Sequence, residues 1–198
     1  MRDKRKQRMA YAEAGHAHEL TFSCYRGLPL LENDAFKRLF LMSLDKARKR
    51  HGFMVWAYVI MPNHVHVLVY PLRRTYSVGD ILRSIKQPAA QVALREVCTN
   101  APMLTKQLTL PDGRRRFWQA GGGYDRNLFS PEAIHASIDY MHANPVRRGL
   151  CEAIVDWEWS SARWYADLES KFEVDRCDVV LQSKGIRSQS KGIRSRTR

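Results

Sequence analysis

Two histidines separated by one residue, His64 and His66, have a spacing that suggests chemistry. They lie in the segment HVHVLVY, whose β-branched composition predicts a strand. Side chains two positions apart on a strand share a face and stand about 6.6 Å apart. Two imidazoles so placed can share a metal ion, although surface or hydrogen-bonded histidines fit the same spacing. His16 and His18 repeat this spacing in a segment without a clear strand pattern.

A tyrosine and an asparagine form a second candidate pair, on the segment 130–144. This segment begins with Ser-Pro-Glu, which is typical of a helix start, and we expect the helix to end before Pro145. Tyr140 and Asn144 lie one turn apart on this helix, so both side chains could reach one point on a neighbouring sheet. A half-buried aromatic and a C-terminal cap are the alternative interpretation. An apolar stripe would seat the helix on the sheet: Ile134, Ile138 and Met141.

Basic residues that could contact a polyanion lie in two further clusters. The first combines charge with aromatic side chains that could stack on unpaired bases, and the second follows the helix just described. A solvated loop and ordinary surface charge explain the same residues equally well. The candidates are Arg114, Arg115, Arg116 and Trp118 in the first cluster, and Arg147 and Arg148 in the second.

The net charge of +13, from 33 Lys and Arg against 20 Asp and Glu, is concentrated at the two ends of the chain. Residues 1–8 hold five bases and one acid, and residues 184–198 hold six bases and no acid. The stretch between them keeps 22 bases and 19 acids. A basic protein suggests a polyanionic partner, but solvated basic ends also occur in proteins without one. The last part of the chain repeats QSKGIRS from Gln182 to Ser195, which predicts a disordered tail.

Length and composition favour one globular domain that stays in the cytoplasm. The chain has 198 residues, of which 44% are hydrophobic, enough to form a core. Its start lacks the apolar stretch of a secretory signal, and its longest apolar run, Phe53–Met61, is far shorter than the roughly 20 residues of a transmembrane helix. The four cysteines contain no C-x-x-C pair, which argues against a zinc ribbon.

The order of predicted elements indicates an α+β fold. Strand, helix, strand, strand, helix, strand is the βαββαβ pattern of a ferredoxin-like antiparallel sheet, here with an added C-terminal helix that carries Tyr140. We expect a basic segment over 1–15, the domain over 16–170 and a basic tail over 171–198. The elements are strand 19–24, helix 34–51, strands 53–60 and 64–70, helix 77–98 interrupted by Pro88, a polar connection over 99–116, a strand within 117–129, and helix 130–144.

Four stretches together resemble a known family. They are MPNHVHVLVYP around His64, FWQAGGGYDRNL from Phe117, SIDYMHANPVRRGL from Ser137 and DWEWSSARWY from Asp156. In this order they resemble the REP-associated tyrosine transposases, bacterial relatives of the single-tyrosine HUH transposases. The similarity runs from about Glu19 to Tyr165 and does not include the basic ends.

The resemblance implies an enzyme that cleaves and rejoins single-stranded or hairpin DNA of the REP type. Tyr140 would be the nucleophile that forms a 5′-phosphotyrosine, and His64, His66 and Asn144 would bind Mg²⁺ or Mn²⁺. A metal that polarises the phosphate suits a phenol, whose ordinary pKa of about 10 makes it a modest nucleophile. The resemblance also implies a monomer or homodimer associated with the bacterial nucleoid.

Two other classes of function remain open on the sequence alone. One is a non-catalytic nucleic-acid-binding module on a ferredoxin-like sheet, against which stands the lack of an RNP-like aromatic strand motif. The other is a hydrolase that uses the histidines as acid and base. Only the transposase reaction requires a covalent bond between the protein and DNA.

Overall fold

A four-stranded antiparallel sheet forms the centre of the protein. The computed structural model describes residues 14–177, and its strands are β1 (Ala17–Ser23), β2 (Phe53–Ile60), β3 (His64–Pro71) and β4 (Tyr124–Leu128). The strand order is β2-β3-β1-β4, and every neighbouring pair is antiparallel. Helix α1 (Asp34–His51) joins β1 to β2, and helix α2 (Val78–Asn100) follows β3. The predicted ferredoxin-like βαββαβ fold of the α+β class is therefore confirmed.

Helices cover both faces of this sheet. Helices α1 and α2 pack on one face, over a core that includes Val65 and Val67 of β3. The added helix α4 (Pro131–Arg147) packs on the other face through its predicted apolar stripe, which meets Leu68 of β3. Because strand side chains alternate, His64 and His66 lie on the face of α4. The sheet thus separates the two histidines from the main core.

Local sequence signals set both ends of α1 and the start of α4. The Asn33 side chain accepts a hydrogen bond from the Ala35 amide at 2.8 Å and caps α1, and Gly52 ends that helix in the left-handed region with φ 68°. The Ser130 hydroxyl caps α4 by accepting from the Ala133 amide at 3.2 Å. The sequence predicts the Ser130 cap, and it leaves Asn33 and Asp34 as alternatives for the cap of α1.

Prolines interrupt the helices less than the sequence suggests. Helix α2 runs unbroken past Pro88, whose ring is exposed, and α4 runs through Pro145 to Arg147. The predicted end of α4 before Pro145 is therefore wrong. A proline in the last turn removes only one helical hydrogen bond, and its buried ring packs instead. The polar connection predicted over 99–116 also contains a helix, α3 (Pro102–Leu108).

The C-terminal part of the described chain covers β2, an edge strand of the sheet. Ser160 forms a bridge with Val59, and the amide of Asp175 donates to the carbonyl of Val55 at 2.8 Å. A short helix, α5 (Ala162–Tyr165), lies between these contacts. Val174 and Cys177 are buried and Phe172 packs on the main core, so the predicted start of the tail at 171 is too early. Covering an edge strand blocks its pairing with other chains.

The basic ends predicted over residues 1–8 and 182–198 lie outside the described residues. Within residues 14–177, no helix has the length and apolar composition needed to cross a membrane.

Candidate active site

His64 and His66 form the centre of the candidate active site. Their ring centroids lie 5.0 Å apart on β3, and the rings are nearly perpendicular, at 79°. The Nδ1 of His64 lies 2.7 Å from Oδ1 of Asn63, and the Nδ1 of His66 lies 2.9 Å from the hydroxyl oxygen of Thr21. These contacts orient both rings and leave Nε2 of each histidine as the nitrogen that can bind a ligand.

Burial favours the neutral form of both imidazoles. It lowers the pKa of His66 to about 4, with a smaller contribution from His64, because a charged imidazole would lose its hydration there. Burial also lowers the pKa of His64, and the positive charge of Arg148 lowers it further. A neutral imidazole has a lone pair to offer, so at neutral pH the two rings can act as ligands without first losing a proton.

Tyr140 lies beside the histidines on α4. Its ring centroid is 6.4 Å from that of His66, with the two rings almost perpendicular at 87°. The side chain is 46% exposed, so a large substrate can reach its hydroxyl. The guanidinium of Arg147 lies 4.9 Å from the centroid of the tyrosine ring, within the range of a cation–π contact. The predicted tyrosine and histidines are thus brought together.

Asn144 follows Tyr140 by one helical turn and is buried. Its Nδ2 donates to the backbone carbonyl of Tyr140 at 3.1 Å, which leaves Oδ1 as the side-chain atom that can bind a metal. Residues 14–177 contain no group of three or more His, Cys, Asp and Glu side chains that could hold a metal. The candidate donors are instead two neutral imidazole nitrogens and one amide oxygen, a set that fits a divalent first-row cation.

A cleft of about 440 Å³ opens beside His64. Asn63 lines it from the turn before β3, and Arg148 lines it from the segment after α4. Since Arg147 contacts Tyr140, both arginines at the C-terminal end of α4 lie next to the candidate nucleophile or a candidate ligand. A phosphate group in the cleft would meet the positive charge of Arg148 beside His64.

Sequence reasoning missed the residues that hold this site in place. Thr21 orients His66 from β1, and the buried carboxylate of Glu19 on the same face accepts a hydrogen bond from the Ser137 hydroxyl of α4 at 3.0 Å. The guanidinium of Arg126 also lies 3.6 Å from that carboxylate. Only the pairing of β1 with β3, which places Thr21 opposite His66, identifies the threonine. Asn63 stands directly before His64 and could have been found from its position.

The other predicted nucleic-acid contacts lie away from this site. Arg114 forms an ion pair with Asp112, and Arg115 and Arg116 line a second cleft beside α2. The prediction that Trp118 stacks on bases is wrong, because its ring is 7% exposed and packs edge-on against Phe22 in the main core. Its indole N–H also donates to the carbonyl of Lys86 at 2.9 Å.

The competing pair, His16 and His18, is not a second candidate site. His18 is fully buried on the face covered by α2, where its Nδ1 lies 2.9 Å from a carboxylate oxygen of Asp125. Its Nε2 lies 2.7 Å from the hydroxyl of Tyr76. Both ring nitrogens are therefore engaged within the core, and His18 has a structural role.

The fold and the site together resemble those of one class of protein. A ferredoxin-like sheet with a His-x-His pair on an inner strand, facing a tyrosine on a helix packed across it, resembles the single-tyrosine HUH transposases. The comparisons with known proteins agree with this class and narrow it.

No family model matches the chain. A Haemophilus influenzae protein named "Putative REP-associated tyrosine transposase" is 27% identical over 123 residues, which cover 57% of this chain and 61% of that protein. The chain therefore matches less than two thirds of the length of this relative. A solved structure of a REP-associated tyrosine transposase bound to a REP hairpin aligns with a TM-score of 0.60 at 18% identity, covering 86% of this chain and 92% of that one. The resemblance to the REP-associated tyrosine transposases is confirmed, and the fold is shared.

Proposed function

We propose that this protein is a DNA transposase that cleaves and rejoins single-stranded or hairpin DNA through Tyr140. The observation that carries the proposal is the position of this exposed tyrosine, 6.4 Å from His66 between ring centroids and on the same face of the sheet as His64. The similarity to REP-associated tyrosine transposases, one of them solved with a REP hairpin, supports REP-type palindromic DNA as the substrate.

The reaction proposed for Tyr140 is a transesterification. The phenolic oxygen gives up its proton and attacks the scissile phosphorus, which forms a 5′-phosphotyrosine. The bond between phosphorus and the 3′ oxygen breaks, and that oxygen leaves as a 3′-hydroxyl after it takes up a proton. Because one phosphoester replaces another, the reverse attack by a 3′-hydroxyl rejoins DNA without an external energy source. The charges of Arg147 and Arg148 favour the approach of the phosphate.

His64, His66 and Asn144 are the residues that we propose to hold a divalent cation, Mg²⁺ or Mn²⁺. When bound, the cation would act as a Lewis acid on the scissile phosphate. The protein contributes the orientation of the donors: Asn63 and Thr21 fix the two rings, and the carbonyl of Tyr140 fixes the amide.

We assign this function to the domain that begins near residue 16 and includes the packed residues up to 177. The basic segment over 1–15 and the tail beyond the domain are proposed to add sequence-independent affinity for DNA. We place the enzyme in the bacterial cytoplasm at the nucleoid, where such a substrate is found.

The test is the formation of a covalent adduct. The full chain is incubated with a labelled REP-type hairpin carrying a single-stranded flank and Mn²⁺, and products are separated under denaturing conditions. We expect an adduct that maps to Tyr140 by mass spectrometry and that is lost in the Tyr140→Phe variant and in EDTA.

Tyr124→Phe provides a matched control, since it removes a hydroxyl from another exposed tyrosine. An adduct that persists in Tyr140→Phe would contradict the proposed nucleophile. Hairpin binding without an adduct under any metal condition would favour the non-catalytic module, and turnover without an adduct would favour the hydrolase.

A further inference from the structure

A second cleft, of about 540 Å³, lies on the face of the sheet opposite the candidate active site. One wall is α2, and the other is the segment 115–122, which leads toward β4. We call it the basic cleft, because every charged side chain that lines it is a base. These side chains are Arg83 and Lys86 from α2, and Arg115 and Arg116 from the facing segment.

The walls of the basic cleft are fixed by hydrogen bonds within the protein. The Nζ of Lys86 donates to the carbonyl of Gly121 at 3.1 Å, and the indole of Trp118 donates to the carbonyl of Lys86 at 2.9 Å. The same Lys86 ammonium lies 5.2 Å from the centroid of the Phe22 ring. Gly121 has a φ of 97°, a conformation that suits glycine and exposes its backbone. The cleft is therefore formed before any ligand arrives.

The charges in this cleft lack strong partners of opposite sign among the described residues. Arg83 pairs with Asp80 on the exposed surface of α2 at 3.1 Å, a kind of contact that contributes little. Burial lowers the pKa of Lys86, so its charged form would gain from a nearby anion. Arg114, by contrast, is held outside the cleft by Asp112 at 2.6 Å. Of the three consecutive arginines, only two therefore line the cleft.

The segment that forms one wall also connects the basic cleft to the candidate active site. After Gly121 and Gly122 the chain passes Gly123, where a Cβ atom would lie only 2.2 Å from the carbonyl oxygen of Thr21. Thr21 is the residue whose hydroxyl contacts His66. The segment that lines the cleft thus ends against Thr21, the residue that orients His66.

We propose that the basic cleft binds the phosphodiester backbone of the DNA substrate at a point away from the scissile phosphate. The inference rests on the proposed function, because it takes the substrate to be DNA. Guanidinium groups recognise phosphate oxygens with paired hydrogen bonds, and an exposed glycine backbone allows close approach. The lining offers charge and amide groups without an exposed aromatic ring, so it contributes affinity and register and does not select bases.

The experiment compares adjacent arginines in the full chain carrying Tyr140→Phe, in EDTA, so that DNA is bound but not cleaved. Fluorescence anisotropy gives the dissociation constant of a hairpin with its flank at several salt concentrations. We expect Arg116→Gln to weaken binding and to reduce the slope of log K against log[salt] by about 1, the value for one phosphate that is no longer neutralised. The double variant with Arg115→Gln and Arg116→Gln should reduce this slope by about 2.

Arg114→Gln is the matched control, since it removes the same charge two positions away and outside the cleft. Its slope should match that of the parent protein, and Arg116→Lys, which keeps the charge, should retain most of the affinity. An equal effect of Arg114→Gln and Arg116→Gln, or none from either, would overturn the proposal. Binding of the stem alone and of the flank alone identifies which part of the DNA occupies the cleft.

Two further measurements distinguish a loss of DNA contact from a loss of folding, and a failure of the basic cleft proposal from a failure of the proposed function. If a glutamine variant melts at a lower temperature, protection of Arg115 and Arg116 from phenylglyoxal by the hairpin is measured in the parent protein instead, and lack of protection contradicts the proposal. The adduct assay is run in parallel on chains that retain Tyr140. If the arginine variants change the salt slope but no adduct forms, the proposed cleavage by Tyr140 is refuted and the proposed role of the basic cleft stands. If an adduct forms but the salt slope does not change, only the proposed role of the basic cleft is refuted.

Discussion

At the scale of single residues, the candidate site depends on side chains that do no chemistry themselves. Each candidate histidine ligand is oriented by a neighbour at its Nδ1, Asn63 for His64 and Thr21 for His66. Such outer contacts fix the tautomer and the direction of the free nitrogen. A site with the same ligands and without these contacts would hold the rings less firmly and bind a cation more weakly.

Thr21→Val tests this role, because valine has nearly the shape of threonine and lacks the hydroxyl. We expect the affinity for Mn²⁺ to fall by about 10- to 100-fold, the usual effect of removing the outer partner of a metal-binding histidine. Titration calorimetry of the purified protein with Mn²⁺ measures the change. Thr21→Ser keeps the hydroxyl and should stay close to the parent protein, so equal losses in the two variants would contradict the orienting role.

The residues of the candidate site differ in how far the sequence could predict them. His64 and His66 are two positions apart, and Tyr140 and Asn144 are one turn apart, so local geometry alone pairs them. Thr21 is paired with His66 only through strand register across 45 positions of sequence, which no local pattern shows. The stacking role that the sequence predicts for Trp118 is wrong for the same reason, because its burial depends on packing against Phe22, which is distant in sequence.

At the scale of elements, the glycine before β4 connects the sheet to its loop. Gly123 has a φ of 81°, and a Cβ atom there would lie 2.2 Å from the carbonyl oxygen of Thr21. Gly113 has nearly the same φ, 80°, with nothing within 4 Å of its Cβ position. The two glycines share a backbone conformation and differ in the space around them. Comparing an alanine substitution at each position therefore distinguishes the cost of backbone strain from the cost of a steric clash.

We expect Gly113→Ala to lower the free energy of unfolding by about 1 to 2 kcal/mol, from left-handed strain alone. Gly123→Ala should cost more, by about 1 to 3 kcal/mol beyond that, since β1 or β4 must also shift. Urea unfolding monitored by circular dichroism measures both values. Equal losses would mean that the loop yields without disturbing Thr21, and the close approach would then have no role in holding the site.

Helices show where local signals suffice and where they fail. The ends of α1 follow from Asn33 and Gly52, whose effects are local. The end of α4 was misplaced because Pro145 is buried against the body, and packing there outweighs the missing hydrogen bond. Helix α3 was missed within a connection rich in polar residues. Only Leu108 of that helix is buried, so its sequence carries little of the apolar periodicity that marks a helix.

At the scale of the whole molecule, the sheet separates two kinds of task. One face carries the candidate nucleophile and ligands under α4, and the other carries the main core and the proposed basic cleft. A hairpin substrate that extends past the edge of the sheet could contact both. This arrangement would let affinity come from several weak backbone contacts, while the chemistry stays at Tyr140 and one pair of histidines.

The basic ends should add to this affinity without affecting the chemistry. Residues 182–198 contain six bases and no acid, so each phosphate that they neutralise releases a counterion and steepens the salt dependence of binding. We expect a chain ending at Leu181 to bind the hairpin with a shallower slope of log K against log[salt], by about 0.7 to 0.9 for each phosphate that the tail no longer neutralises. The same chain should form the Tyr140 adduct at an unchanged rate when DNA is saturating.

A chain ending at Ser170 also lacks the hydrogen bonds between Asp175 and Val55 and should melt at a lower temperature. Anisotropy at several salt concentrations, the adduct assay and thermal melting measure the three quantities. An unchanged slope in the chain ending at Leu181 would show that the tail does not touch DNA, and the charge excess would then have to act through residues 1–8 or the domain.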